Sequence, residues 1–275
     1  DWPHTILFTS GASEALAIAI TRAKAAQIIA SPVEHDAVLR SLGDGAARLA
    51  VNGGGEVGQA DIASHAVLGG ATLFVVQHAN NETGVLQNLA ELGGTARKNG
   101  GILLADCAQT AGKLALPEAD MIAISAHKFG GPKGVGALVI RDGLDVPPLA
   151  TGGGQEMSRR AGTENLPGIA GFGAAAEAAA RDLSDGVWDR VAEIRNILEN
   201  ALETCSADVM FAGRGANRLP NTSCIVLPGW KGETQVMQMD LAGFAVSAGS
   251  ACSSGKVRES RVLRAMGFSP EAARS

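Results

Sequence analysis

No apolar run in these 275 residues approaches the roughly 18–20 that span a bilayer. No CxxC pair occurs either, which removes zinc-ribbon and thioredoxin-like readings. Cysteine is scarce: Cys107, Cys205, Cys224 and Cys252 lie 98, 19 and 28 residues apart. That is too sparse for a disulfide framework, so a reduced, cytoplasmic setting is expected, with each thiol by default a small buried hydrophobe. Basic residues are not in excess: 23 Lys and Arg against 28 Asp and Glu give a net charge of −5. A nucleic-acid binder is therefore not expected, because phosphate neutralisation needs surplus cations. The opening Asp1-Trp2-Pro3-His4 has neither a basic-then-apolar leader nor an initiator Met. No signal peptide is read there, and a piece of a longer chain is expected.

What is present is a core. Hydrophobic residues make up 46% and charged ones 19%, which excludes a disordered chain. Short apolar runs alternate with helical stretches. Strands are expected at 5–8, 27–30, 72–77, 101–105, 121–125 and 135–140, and helices at 13–26 and 89–99. This rhythm predicts a three-layer α/β domain with a mostly parallel sheet over residues 1–183. From 184 to 275 a smaller α+β domain is expected. Around the boundary run an Ala-rich helix at 168–183 and an amphipathic one marked by Val187, Val191, Ile194, Leu198 and Leu202. A strand at 224–227 and a helix at 233–241 follow.

Two motifs are decoys. Gly53-x-Gly55-x-x-Gly58 matches the dinucleotide fingerprint, but it follows a weak strand and no good helix is expected at its third glycine, so it reads as a loop. Ser125-x-x-Lys128 matches a β-lactamase pair, yet neither SDN nor KTG occurs. His4, His65 and His78 read as surface or structural, and no metal-binding cluster of the HExxH kind exists.

Four features converge on other chemistry. Thr9-Ser10-Gly11-Ala12-Ser13-Glu14 follows a strand and opens a helix, where free N–H groups and hydroxyls suit a phosphate. Asp106 ends an apolar strand, at the edge where parallel sheets bind ligands; it could cap, hold a metal, or keep a proton on a pyridine nitrogen. Lys128 stands immediately after the next strand, 22 residues after Asp106, as a Schiff-base candidate. His35 follows the strand and turn at 28–34, where an imidazole could lie flat on a ring. A lysine, an acid, a phosphate-binding helix start and an aromatic plate are the parts needed for pyridoxal phosphate. Separately, the loop Ser247-Ala248-Gly249-Ser250-Ala251-Cys252-Ser253-Ser254-Gly255 has no bulky side chain, so its thiol could reach inward to attack and outward to deliver. Cys107, Cys224 and Cys205 keep a structural reading.

The segments TSGASEALAIAI, SPVEHDAVL, QHANNETGVLQ, LLADCAQTAGKL, ISAHKFGGPKGVGAL, GGGQEMSRRAGTEN and SAGSACSSG resemble, in order, the motifs of cysteine desulfurases. These are class-V members of the fold-type-I pyridoxal-phosphate enzymes, and the longer cysteine loop resembles the branch serving nitrogenase and iron–sulfur assembly. The resemblance implies a fold-type-I α/β/α domain with Lys128 linked to the cofactor, Asp106 at its ring nitrogen, and His35 stacked on the ring and moving protons. It implies Asn81 and Gln109 at the phenolic oxygen or substrate, and Ala12, Ser13, Ser125, Ala126 and His127 around the phosphate. Position 13 is Ser where Thr is common, which keeps the hydroxyl. Thr163 would reach the phosphate of the other subunit of a homodimer.

Cys252 would be the nucleophile and persulfide carrier, with no intrinsic metal site beyond a transient iron–sulfur ligation by that thiol. The partners implied are L-cysteine and an iron–sulfur scaffold or other sulfur acceptor, with no nucleic acid and no membrane. The resemblance also implies that the family's substrate-carboxylate Arg lies beyond Ser275, so these 275 residues are expected to turn over cysteine poorly or not at all. Two alternatives stay open: another enzyme of the same fold, such as a selenocysteine lyase or aminotransferase, or a partner-binding homologue without turnover.

Overall fold

The computed structural model describes residues 3–42, 46–65, 71–249 and 259–275. Its centre is a six-stranded sheet in the order β1-β6-β5-β4-β3-β2. The strands are β1 (His4–Thr9), β2 (Gln27–Ala30), β3 (Thr72–Gln77), β4 (Ile102–Asp106), β5 (Met121–Ser125) and β6 (Gly136–Arg141). Strands β2 to β5 run parallel, while β6 is antiparallel to both its neighbours. β1 therefore points the same way as β5. The carboxyl ends of β1 to β5 open on one edge of the sheet.

Strand alternation divides the core in two. Phe74, Val76, Leu103, Ala105, Ile122 and Ile124 face one side. They pack there against α3 (Gln59–Ser64) and α4 (Leu89–Lys98) through Ile62, Leu89, Leu92 and Ala96. Leu73, Val75, Leu104, Met121, Ala123 and Leu138 face the other, against Ala15, Leu16, Ile18, Ala19 and Ile20 of α1 (Ala12–Arg22). The expected three layers follow from this period of two. Each large aliphatic side chain so buried contributes about 1.5–3 kcal/mol.

The short helix α2 (Asp36–Leu39) and the turn α5 (Gln155–Ser158) border the open edge. The long helices α6 (Leu166–Ser184) and α7 (Val187–Cys205) follow, then the ribbon of β7 (Met210–Phe211) and β8 (Ile225–Val226), α8 (Gly232–Leu241) and α9 (Arg261–Ala265). A third cluster joins Ala212, Val226, Val262, Leu263 and Met266 to Val33 of the sheet's edge.

Two expectations need correcting. The run from Gly53 to Gly58 is a loop, yet a helix does begin at its end, with Gly58 as N-cap of α3. It carries no phosphate crevice: a bridge joins Val51 to Val57, and the Met266 side chain fills the space beside Gly55. Cys205 is exposed at the end of α7 rather than buried. Cys107 is fully buried and burial pushes its thiol far up, while burial pushes that of half-buried Cys224 up to about 12. Both suit inert packing. Among the described residues no group of His, Cys, Asp and Glu could hold a metal ion, and no helix is long and apolar enough to cross a membrane.

Candidate active site

The open sheet edge encloses a cavity of about 440 Å³. Its floor is set by the register Thr9–Gly136–Ser125 across β1, β6 and β5. Gly136 must be glycine there, because a Cβ would lie 2.5 Å from the Ile124 carbonyl and 2.6 Å from Gly11 Cα. That close approach brings the start of α1 beside Ser125. The first-turn N–H groups of a helix have no intrahelical acceptors, and no side chain caps α1. With Ser13, Ser125 and His127 on the lining, this end of the cavity is built for an anion. Ser125 Oγ and His127 Nδ1 are 2.9 Å apart. Burial, then the charges of Lys128 and Lys133, lower the His127 pKa.

Glu14 also lines this end and would repel an anion. Burial alone would push its carboxyl up, but Arg160 at 2.7 Å and the Ser10 N–H hold it below its ordinary range as a paired charge. The segment 152–163 that ends in Thr163 is tied down further: Glu156 accepts the Phe8 N–H at 3.1 Å, and Ala161 bonds Ala150. Glu156, Met157 and Ser158 all take left-handed φ angles of 48°, 56° and 63°, each costing on the order of 1 kcal/mol.

At the opposite end Asp106 is 7% exposed, and its carboxylate accepts the Ala108 N–H at 2.9 Å. Burial raises its pKa, against the pull of that bond and of His35 and Lys128. His35 N-caps α2: its Nδ1 accepts the Ala37 N–H at 3.1 Å. A neutral ring then carries its proton on Nε2. Asn81, Gln109 and Lys128 complete the lining. All the site residues expected from the sequence and described here line this cavity, apart from Ala126 and Thr163. Ala126 is fully buried and serves the turn, with its N–H on Val135 and its carbonyl taking the Phe129 and Gly131 amides. Thr163 is exposed. Cys252 lies outside the described residues.

Gln77, Glu34 and Lys113 were not foreseen. Gln77 lines the cavity, and its N–H donates to buried Glu34 at 2.9 Å. Burial raises Glu34 well above its ordinary range. Its signal was its place beside His35, but burial of a charge is not visible in a local pattern.

The model of the class-V aminotransferase family matches residues 1–269. The chain belongs to that family. The class-V chain is 41% identical over 279 residues to a cysteine desulfurase of Cereibacter sphaeroides, covering 95% of this chain and 70% of the relative. To a cysteine desulfurase of Bradyrhizobium diazoefficiens it is 42% identical over 282 residues, covering 96% and 70%. A solved NifS-like protein from Rickettsia africae ESF-5 superposes with TM-score 0.89 at 29% identity, covering 99% of this chain and 75% of that one. Within the class-V family the chain thus groups with the cysteine desulfurases, which are pyridoxal-phosphate enzymes. The residues present fit that cofactor. The cavity has an uncapped helix start at one end, a buried carboxylate at the other, and a lysine amine and an imidazole between.

Proposed function

We propose that this chain converts L-cysteine to L-alanine and takes the sulfur onto Cys252 as a persulfide, with Lys128 and His35 moving the protons. The observation that carries the reading is the convergence of Lys128, Asp106, His35 and the open start of α1 on one cavity. The cysteine desulfurase relatives supply the substrate.

Bound in this cavity, pyridoxal phosphate supplies an electron sink for charge left at the substrate Cα. The residues around it have separable tasks. The α1 N–H groups, Ser13, Ser125 and His127 hold the phosphate. Asp106 would accept a hydrogen bond from the protonated ring nitrogen, whose positive charge would offset the cost of burying the carboxylate. His35 would cover the ring face, its Nδ1 held by the Ala37 N–H. Asn81 and Gln109 orient the phenolic oxygen or the substrate. The Lys128 amine would take the substrate Cα proton and deliver it to Cβ as the C–S bond breaks, and the proton given up by the Cys252 thiol, carried by His35, would restore the Cα–H of alanine. Cys252 thiolate attacks the substrate sulfur, its S–S bond forming as the substrate C–S bond breaks. The products are alanine and the Cys252 persulfide, ready for an iron–sulfur scaffold or another acceptor protein. In this reading residues 1–183 hold the cofactor and residues 184–275 carry the persulfide. L-alanine should form from L-cysteine with the cofactor-loaded protein and not with buffer and cofactor alone; no alanine above that control would contradict the reading.

Asp106 sets a test with two signs. Because burial raises its pKa, the apoprotein should lose stability as pH rises from the ordinary carboxylate range to that raised value. Asp106→Asn removes the buried charge, so at pH 8 the apoprotein should melt higher, by roughly 2–4 °C per kcal/mol. The same variant should bind cofactor at least about tenfold more weakly, since a charge-assisted bond is worth roughly 1.5–3 kcal/mol. A lower apoprotein Tm with unchanged cofactor affinity would count against the assignment.

Thr163 stands outside the cavity, on a segment tied to α1 by Arg160, and we assign it to the phosphate of a second subunit. Thr163→Ala should then weaken cofactor retention, and cofactor loss should track dissociation of the dimer in light scattering. A monomer that retains cofactor fully would rule this assignment out.

A further inference from the structure

Lys113 is 6% exposed. A buried ammonium is costly unless a carboxylate faces it, and among the described residues none pairs with this one. Its Nζ donates instead to the Gln109 carbonyl at 2.7 Å and the Lys128 carbonyl at 3.5 Å. The Trp188 ring centroid of α7 lies 6.0 Å away, and the Trp188 indole N–H donates to the Gly112 carbonyl at 3.0 Å. The turn after β4 and the turn after β5 are pressed together here: a Cβ on Gly112 would lie 2.7 Å from Phe129 Cβ. One cation thus bridges the two segments that carry Gln109 and Lys128.

We propose that Lys113 is a positioning residue for Lys128: its ammonium fixes the turn on which Lys128 stands and places a positive charge behind the Lys128 amine, favouring the unprotonated nitrogen. A neighbouring cation is a recognised way to activate a lysine nucleophile. Burial, and then the charge of Lys128, bring the Lys113 ammonium down to about 8, so each amine lies in the field of the other. The remaining charges around Lys128 are Asp106 and His127 and Lys133, which lines the same cavity. Of the two neighbouring lysines, Lys113 is the one whose ammonium bonds the turn that carries Lys128. A methionine of similar length would fill the Lys113 site without the burial cost, so the charge is the part to test.

This inference rests on Lys128 being the residue linked to the cofactor. The test is the pH midpoint of the visible absorption of the cofactor-loaded protein, followed together with thermal melting. Lys113→Met should raise the midpoint by about one pH unit, a tenfold change in proton affinity. Lys113→Arg, which keeps the charge, should leave it at or below the parent value. Should Lys113→Met fail to fold, Lys113→Gln is held to the same upward shift, since it keeps a donor without the charge. A lower Tm with an unmoved midpoint would reduce Lys113 to a structural staple and overturn the inference. So would a midpoint that moves equally in the Arg and the uncharged variants. If the parent shows no pH-dependent visible band, both this inference and the reading of Lys128 fall; if the band is present and only the shift is missing, this inference falls alone.

Discussion

Lys128→Ala is expected to abolish the visible absorption of the cofactor-loaded protein and to reduce alanine formation by at least about 10²–10⁴-fold, the usual worth of a positioned acid–base group. Both effects come from one amine. Lys128 follows β5 directly, in the short turn Ala126–Lys128 that the buried Ala126 anchors, and it lines the cavity between the anion end and Asp106. Without it the turn offers no amine to link to the cofactor carbonyl or to receive the substrate Cα proton. The phosphate end is untouched in this variant, so cofactor should still bind, without the visible band that depends on the Lys128 nitrogen. A variant that keeps the parent spectrum would remove Lys128 from the chemistry.

The second large effect is expected at Cys252. Cys252→Ala should leave the cofactor spectrum and its response to L-cysteine intact, while persulfide on the protein falls to background and alanine formation falls with it. The separation follows from the division of labour. Lys128, Asp106 and His35 act on the substrate Cα, whereas only a thiolate that accepts the sulfur lets the C–S bond break with alanine as product. The other thiols cannot substitute. Burial holds Cys107 and Cys224 in the protonated form, and Cys205 stands at the far end of α7, outside the cavity lining. Alanine formed by Cys252→Ala at the parent level, with no persulfide on the protein, would favour a lyase that needs no protein thiol, as in a selenocysteine lyase or another enzyme of this fold.

Much of the site was legible because a parallel sheet delivers every strand end to one edge. Asp106 ends, and Lys128 follows, an apolar run whose burial on both faces marks an interior strand, while the segment before α1 follows the edge strand β1. The run 72–77, buried at every position, kept its boundaries from sequence to structure, while β1 gained one residue at each end and β6 shifted by one. What escaped depends on contacts between distant residues. Lys113 looks like any solvated lysine in QTAGKL until Trp188, 75 residues on, covers it. Glu34 looks like a loop acid until the Gln77 N–H meets it. The helix after Gly58 was missed because a helix of this length draws its stability from packing, here Ile62 against the sheet, and not from its own propensity. Ala126 was assigned to the phosphate with its neighbours, yet its methyl group turns inward, where Gly131 packs against it.

The most direct test of the account is mass analysis of the cofactor-loaded protein after a brief exposure to L-cysteine without reductant, with alanine counted in the same sample. The account predicts one added sulfur on the peptide containing Cys252, lost on reduction, and alanine formed in equal amount during that first turnover. Alanine released with no sulfur on Cys252, or sulfur found on Cys107, Cys205 or Cys224 instead, would contradict it.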